Sequence, residues 1–199
     1  MNLPPHADNM RIGLFGGSFN PPHAGHALVC RLALRSLGLH KLWVMVSPGN
    51  PLKDRARLPP LRERMAAARA LLRDPRIKVT DFEAGLGAKY SYQTVGRLRR
   101  AAPGVKFVWI MGADNLAAFF SWRRWREIAL SMPILVIDRP GSTFHAVKGQ
   151  AGGWFERWRL PESAVSTLAN RRPPALIVLH GPRSPLSSTQ LRALAARGD

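Results

Sequence analysis

Cysteine is nearly absent from this chain, Cys30 being the only one in 199 residues. A lone thiol closes no internal disulfide, and its place on an apolar helical face marks it as a core thiol rather than a nucleophile. Acidic residues are also scarce, 12 of them against 30 basic ones, for a formal charge of +18. Such a balance suits anionic partners, whether small phosphorylated substrates or nucleic acid. Long apolar runs are missing, so no segment reaches the length of a bilayer span. The opening Met1-Asn2-Leu3-Pro4-Pro5-His6 lacks the charged and apolar regions of a signal peptide, and a cytoplasmic protein is expected. No repeat or linker divides the chain. Its length and 46% hydrophobic content predict one globular domain with a sizeable core.

The basic residues are scattered. Residues 51–100 hold 13 of the 30 against 5 acids, among them Arg55, Arg57, Arg62, Arg64, Arg69 and Arg73, most of which read as the solvated face of a helix. No RNA-binding fingerprint or helix-turn-helix pattern accompanies them, which leaves charge alone in favour of a nucleic-acid-binding protein.

Chemistry concentrates in Gly16-Gly17-Ser18-Phe19-Asn20-Pro21-Pro22-His23-Ala24-Gly25-His26. The short apolar run Ile12–Phe15 precedes it and a helically spaced run, Ala27–Leu34, follows, so it reads as strand, glycine turn, helix. Adjacent glycines let the chain turn sharply and let a ligand approach the main chain. The prolines end the strand and pre-set a helix starting near Pro22 or His23, whose N-terminus favours an anion. His23 and His26, three residues apart, share a face of that first turn and can both point at a phosphate. A zinc site is disfavoured because no third ligand lies nearby. The pattern is neither a Walker loop nor the Gly-x-Gly-x-x-Gly of dinucleotide dehydrogenases.

This stretch resembles the phosphate-binding signature of the nucleotidyltransferase superfamily with a His-x-Gly-His motif, and the whole string resembles that of bacterial nicotinate-nucleotide adenylyltransferases. The resemblance implies an α/β fold with a doubly wound, mainly parallel, Rossmann-like sheet, and ATP bound over the end of the first strand by Gly16, Gly17, Ser18, Phe19, His23 and His26. It extends to the far end of the chain, where Leu186-Ser187-Ser188-Thr189-Gln190-Leu191-Arg192 is similar to the family's Ile-Ser-Ser-Thr-x-Ile-Arg. Ser187 and Gln190 have capping-box spacing there, while Ser188, Thr189 and Arg192 add hydroxyls and a guanidinium to an anion-favouring helix start. His23, His26 and Arg192 are the catalytic candidates.

Between these ends the pattern predicts strands at 41–46, 76–81, 105–111, 133–137 and 175–180. Helices are expected at 60–73, with Leu61, Met65, Ala68 and Leu72 inward, and from about Tyr90, with Val95 and Leu98 inward. For residues 142–174 a variable connection with one or two short helices is expected. The resemblance implies that nicotinate mononucleotide meets Asn50 and Lys53 after the second strand, Ser91 and Thr94 at a helix start, Asp114 after the fourth strand, Trp122 through its ring, and Arg139. In the family's Tyr-Thr-x-Asp-Thr segment, this chain has Ser91 for the first threonine and Gln93 for the aspartate; either Ser91 or Thr94 could instead cap the helix. Trp125, Ile128 and Ala129 form a core stripe. The implied reaction joins ATP and nicotinate mononucleotide, with Mg²⁺ held mainly by substrate oxygens and water and no metal site of the protein's own. Related adenylyltransferases acting on nicotinamide mononucleotide or phosphopantetheine are the neighbouring readings. No membrane or sequence-specific nucleic-acid partner is expected, and a homo-oligomer is left open.

Overall fold

The computed structural model describes residues 3–49, 58–138 and 143–181. Six strands order the chain: β1 (Arg11–Gly17), β2 (Lys41–Val46), β3 (Ile77–Thr80), β4 (Lys106–Gly112), β5 (Ile134–Ile137) and β6 (Leu176–Leu179). They form one sheet in the order β3-β2-β1-β4-β5-β6, and every pairing is parallel. The strands read as near-continuous apolar runs because both faces are covered, which is how buried parallel strands are built. Parallel neighbours need crossovers, and eight helices serve among the described residues: α1 (Ala24–Ser36), α2 (Leu61–Leu71), α3 (Phe82–Gly85), α4 (Ser91–Ala101), α5 (Ala113–Ala118), α6 (Trp125–Ser131), α7 (Thr143–Lys148) and α8 (Gln150–Trp154).

Alternation along each strand divides the core in two. Phe15, Val44, Val108, Ile110 and Ile177 pack against Val29, Ala33 and Leu34 of α1, and Met65 and Ala68 of α2. Leu14, Trp43, Phe107, Trp109 and Val136 face the other way, onto Val95 and Leu98 of α4, Leu116 of α5, and Trp125, Ile128 and Ala129 of α6. The sheet is therefore doubly wound, as expected, and wholly parallel in its described strands. Cys30 is buried in the α1 layer, where desolvation pushes its thiol up to about 12, so it stays protonated.

Three details differ from the sequence expectation. Gly16 and Gly17 complete β1 instead of turning the chain. The turn falls on Phe19, which has a left-handed φ of 48°, because its ring is fully buried and thereby holds the backbone over. A short helix, α3, follows β3 where none was expected. Arg64 is buried, at 3% exposure, while Arg62, Arg69 and Arg73 stand in solvent as the charge pattern predicts. Arg55 and Arg57 lie outside the described residues. The connection after β5 holds α7, α8 and two 3₁₀ segments, Glu156–Trp158 and Glu162–Asn170.

Candidate functional site

Strand order reverses between β1 and β4, since the chain winds outward from β1 through β2 to β3 and then returns to place β4 on the other side. The carboxyl ends of strands flanking such a reversal open a crevice where open α/β sheets bind ligands. The residues that follow β1 and β4 are those that the motifs singled out.

After β1, Gly16 leaves its surroundings open: a Cβ there would approach nothing closer than 3.4 Å, at Met45 Cε. Its bareness is thus not demanded by packing, which suits close approach of a ligand to the main chain. Gly17 is tighter, because a Cβ would press on the Phe19 ring at 3.2 Å. The Gly17 carbonyl accepts from the Ser47 N–H at 2.9 Å, tying the end of β1 to the end of β2.

His23 caps α1 from the extended region, and its Nδ1 accepts the Gly25 N–H at 3.1 Å. The His26 ring turns back, and its Nδ1 accepts the His23 N–H at 3.1 Å. This reciprocal arrangement satisfies two amide groups at the helix start that have no intrahelical partner. It also sets the chemistry of both rings. A nitrogen that accepts carries no proton, so each neutral imidazole bears its hydrogen on Nε2 and donates from there. The rings lie 3.9 Å apart between centroids. Phe19 packs on His26 at 4.7 Å and Phe15 lies 6.1 Å from it, which holds a half-buried side chain to one orientation. His23 is buried, at 5% exposure, and His26 half-buried, so the pair is a fixed element of a helix N-terminus, the kind of position that favours an anion.

After β4, Asp114 stands exposed in the first turn of α5, whose N-cap is Gly112. The strand residue Trp109 lies in the core next to Gly16. Its ring carbons would lie 3.9 Å from a Cβ on Gly16, and its centroid is 6.3 Å from that of Trp122. Trp122 is half-buried, edge-on to Trp109 and to Phe119 at 5.3 Å. Trp122 is thus related to Gly16 only through the Trp109 ring, and Trp125 goes to the core as predicted.

Ser91 and Thr94 open α4, and neither hydroxyl caps it. Gln93 does so instead, its Oε1 accepting the N–H groups of Lys89 and Tyr90 at 2.9 and 3.1 Å. Ser91 is half-buried. Thr94 is fully buried, and its hydroxyl donates to Glu83 Oε1 at 2.9 Å, so it presents no surface to a ligand. Burial pushes the Glu83 carboxyl above its ordinary range, an effect the Thr94 hydrogen bond opposes. Asn50, Lys53, Arg139, Ser187, Ser188, Thr189 and Arg192 lie outside the described residues.

Sequence reasoning missed Arg64, taken there as one more solvated arginine. Its guanidinium donates to the Ser18 carbonyl at 2.7 Å and to the Ser47 carbonyl at 2.9 Å, while Nε donates to Pro59 at 2.9 Å. The one signal available was its place a residue before Met65 on the inward stripe.

Comparison with known proteins bears on the family and on the fold. The cytidylyltransferase-like family matches residues 14–194. The "probable nicotinate-nucleotide adenylyltransferase" of Agrobacterium fabrum is 54% identical over 183 residues, covering 92% of this chain and 98% of its own. A protein of the same name from Methylorubrum extorquens is 57% identical over 183 residues, with 92% and 99% covered. Among solved structures, a Plasmodium falciparum nicotinic acid mononucleotide adenylyltransferase complexed with NaAD superposes with a TM-score of 0.68 at 18% identity, covering 93% of this chain and 83% of that one, which supports the fold.

Proposed function

The chain belongs to the nicotinate-nucleotide adenylyltransferases of the cytidylyltransferase-like family, and from that premise we propose how its residues carry the family's reaction. ATP and nicotinate mononucleotide give nicotinate adenine dinucleotide and pyrophosphate, a step of NAD synthesis. An oxygen of the mononucleotide phosphate attacks the α-phosphorus of ATP. The new P–O bond forms as the bond to the β-phosphate oxygen breaks, and pyrophosphate leaves with that electron pair. The attacking phosphate is already ionised at neutral pH, so no side chain has to remove a proton. Catalysis then rests on alignment and on donors aimed where charge develops.

The observation that carries this reading is the paired histidine cap. Both Nδ1 atoms are held by backbone amides, so each ring is fixed in orientation at the start of α1, and its Nε2–H is the donor we assign to the phosphates. His26 steadies the α-phosphate, and His23, with Arg192 and the hydroxyls of Ser187, Ser188 and Thr189, receives the departing pyrophosphate. The amides around Ser18 and Phe19 complete the ATP cradle. On the β4 side, Asp114 meets the ribose of the mononucleotide and Trp122 stacks on its pyridine ring, with Asn50, Lys53, Ser91 and Arg139 around it. Thr94, buried and bonded to Glu83, is left out of this contact set.

Mg²⁺ bound with ATP would supply charge neutralisation to its phosphates. Among the described residues no three His, Cys, Asp or Glu side chains come together as a cage. We expect the ion to be held mainly by substrate oxygens and water, as suits magnesium, which keeps several of its waters. No described helix is long and apolar enough to cross a membrane, and a cytoplasmic site for the reaction is in keeping with that. We read residues 1–199 as one nucleotidyltransferase domain in which 142–174 is the variable connection.

The test is pyrophosphate release by the purified protein with Mg²⁺, ATP and, in turn, nicotinate mononucleotide, nicotinamide mononucleotide and phosphopantetheine. A carboxylate on the ring can accept from amide donors lining its site, whereas a carboxamide turns an NH₂ toward them. Such mispairing costs about 1–3 kcal/mol, so kcat/KM should favour the acid by roughly tenfold to hundredfold. Trp122→Ala should lower kcat/KM for both mononucleotides and preserve most of that ratio, since stacking is blind to it. Preference for the amide or for phosphopantetheine would overturn the assignment.

A further inference from the structure

Arg64 is a buried cation with no carboxylate paired to it among the described residues. Its acceptors are three backbone carbonyls, those of Ser18, Ser47 and Pro59. They come from three separate segments: the loop after β1, the loop after β2 and the residues leading into α2. Removing a guanidinium from water is costly, and neutral carbonyls offset that cost less well than a carboxylate would. Desolvation accordingly lowers the tendency of Arg64 to hold its proton. An apolar side chain at this position would extend the inward stripe of Met65 and Ala68, so packing alone does not account for an arginine.

The peptide plane supplies the reason. A trans peptide points its C=O and its N–H in opposite directions. Drawing the Ser18 carbonyl onto Arg64 therefore turns the Phe19 N–H away from Arg64. One peptide earlier, the Gly17 carbonyl is drawn onto the Ser47 N–H, which turns the Ser18 N–H away from β2 in the same manner. Phe19 is left in its left-handed conformation, with its buried ring against His26. Resting on the adenylyl-transfer reading above, we propose that Arg64 is a positioning residue. It sets the Ser18–Phe19 peptide, and through the Phe19 ring it holds His26 in line with the reacting phosphate. A guanidinium suits this task because its planar fork serves several carbonyls from one rigid group, where an ammonium is a single mobile point.

The experiment is a double-mutant cycle in steady-state pyrophosphate release, with Arg62→Lys as the control from the exposed face of the same helix. His26→Ala alone should lower kcat by about 10²–10³, the usual loss for one transition-state donor. Arg64→Lys alone should lower kcat by roughly tenfold or more, as a small misplacement of reacting groups does. In the His26→Ala background, Arg64→Lys should then cost no more than about threefold, because the group through which it acts is gone. A purely structural role would cost the same factor in both backgrounds. An additive loss, or an Arg64→Lys variant with unchanged kcat, overturns the proposal. Should melting curves show Arg64→Lys unfolded, Phe19→Leu takes its place in the cycle with the same expectation and the same overturning result. Wild-type protein inactive with ATP and nicotinate mononucleotide would instead sink the adenylyl-transfer reading.

Discussion

Glu83 and Thr94 show how one hydrogen bond can decide what a residue is for. Thr94 falls where the family pattern puts a substrate contact, yet its hydroxyl is spent on a carboxylate that is itself only 9% exposed. Because burial raises the Glu83 pKa in the folded protein, the folded state holds that proton more tightly than the unfolded chain does. Its favourable contribution is complete below the unfolded pKa of about 4.3 and is lost as pH rises through the folded value. Above the folded pKa the ionised, desolvated carboxylate is a cost. Glu83→Gln keeps an oxygen to accept from Thr94 and removes the charge, so it should melt higher than wild type at pH 7–8, with the gap closing toward about pH 4. Each kcal/mol recovered reads as about 2–4 °C in a chain of this size. A variant that melts lower than wild type at pH 8 would mean the carboxylate is compensated by something else. The histidines were legible because a three-residue spacing at a helix start fixes their mutual geometry. Arg64 was not, because its acceptors Ser18 and Ser47 lie 46 and 17 residues away, and its place beside the inward stripe says nothing of what it would bind.

Among the elements, those with strong periodicity were legible to within a residue or two: β2 falls on Lys41–Val46 and α1 begins just after His23. The turn at Phe19 was not legible, since glycine permits a turn without requiring one and the decision lay with a distant core that takes in the Phe19 ring. The connection after β5 offers a similar case in Gly152 and Gly153, identical in sequence terms and adjacent in α8. A Cβ on Gly152 would run into the backbone carbonyls of Ala146 and Val147, so α7 and α8 approach closely only because this position is bare. A Cβ on Gly153 meets nothing within 4 Å. Gly152→Ala should therefore destabilise by about 1–3 kcal/mol, as overpacking does where the obstructing atoms are backbone. Gly153→Ala should be neutral or stabilising by up to about 1 kcal/mol, from the better helix propensity of alanine. Thermal melting of the two variants side by side decides it, and equal effects would mean that α7 and α8 are not packed in this way.

On the scale of the whole molecule, the sheet order converts two distant motifs into one crevice, because β1 and β4 are neighbours although about 90 residues separate them in sequence. That adjacency was expected only through the family resemblance; periodicity finds strands but does not say which ones pair. The charge of +18 acts at this scale as well. Exposed arginines are distributed over opposite faces of the sheet, Arg31 and Arg35 on α1, and Arg99 and Arg100 on α4. They make a general positive field rather than a stripe that tracks a duplex. Such a field concentrates ATP and the mononucleotide and raises their association rates, and it does so less at high salt. It also predicts adventitious binding to nucleic acid of a defined kind. The protein should bind unrelated duplexes alike at about 50 mM salt and release them within the range of a few hundred millimolar, as counterion release dictates. Fluorescence anisotropy with two unrelated sequences across a salt series measures both properties. Binding that favours one sequence and persists near 0.5 M salt would require base contacts, which this field of scattered charges does not supply, and would give the protein a second ligand class beside its nucleotides.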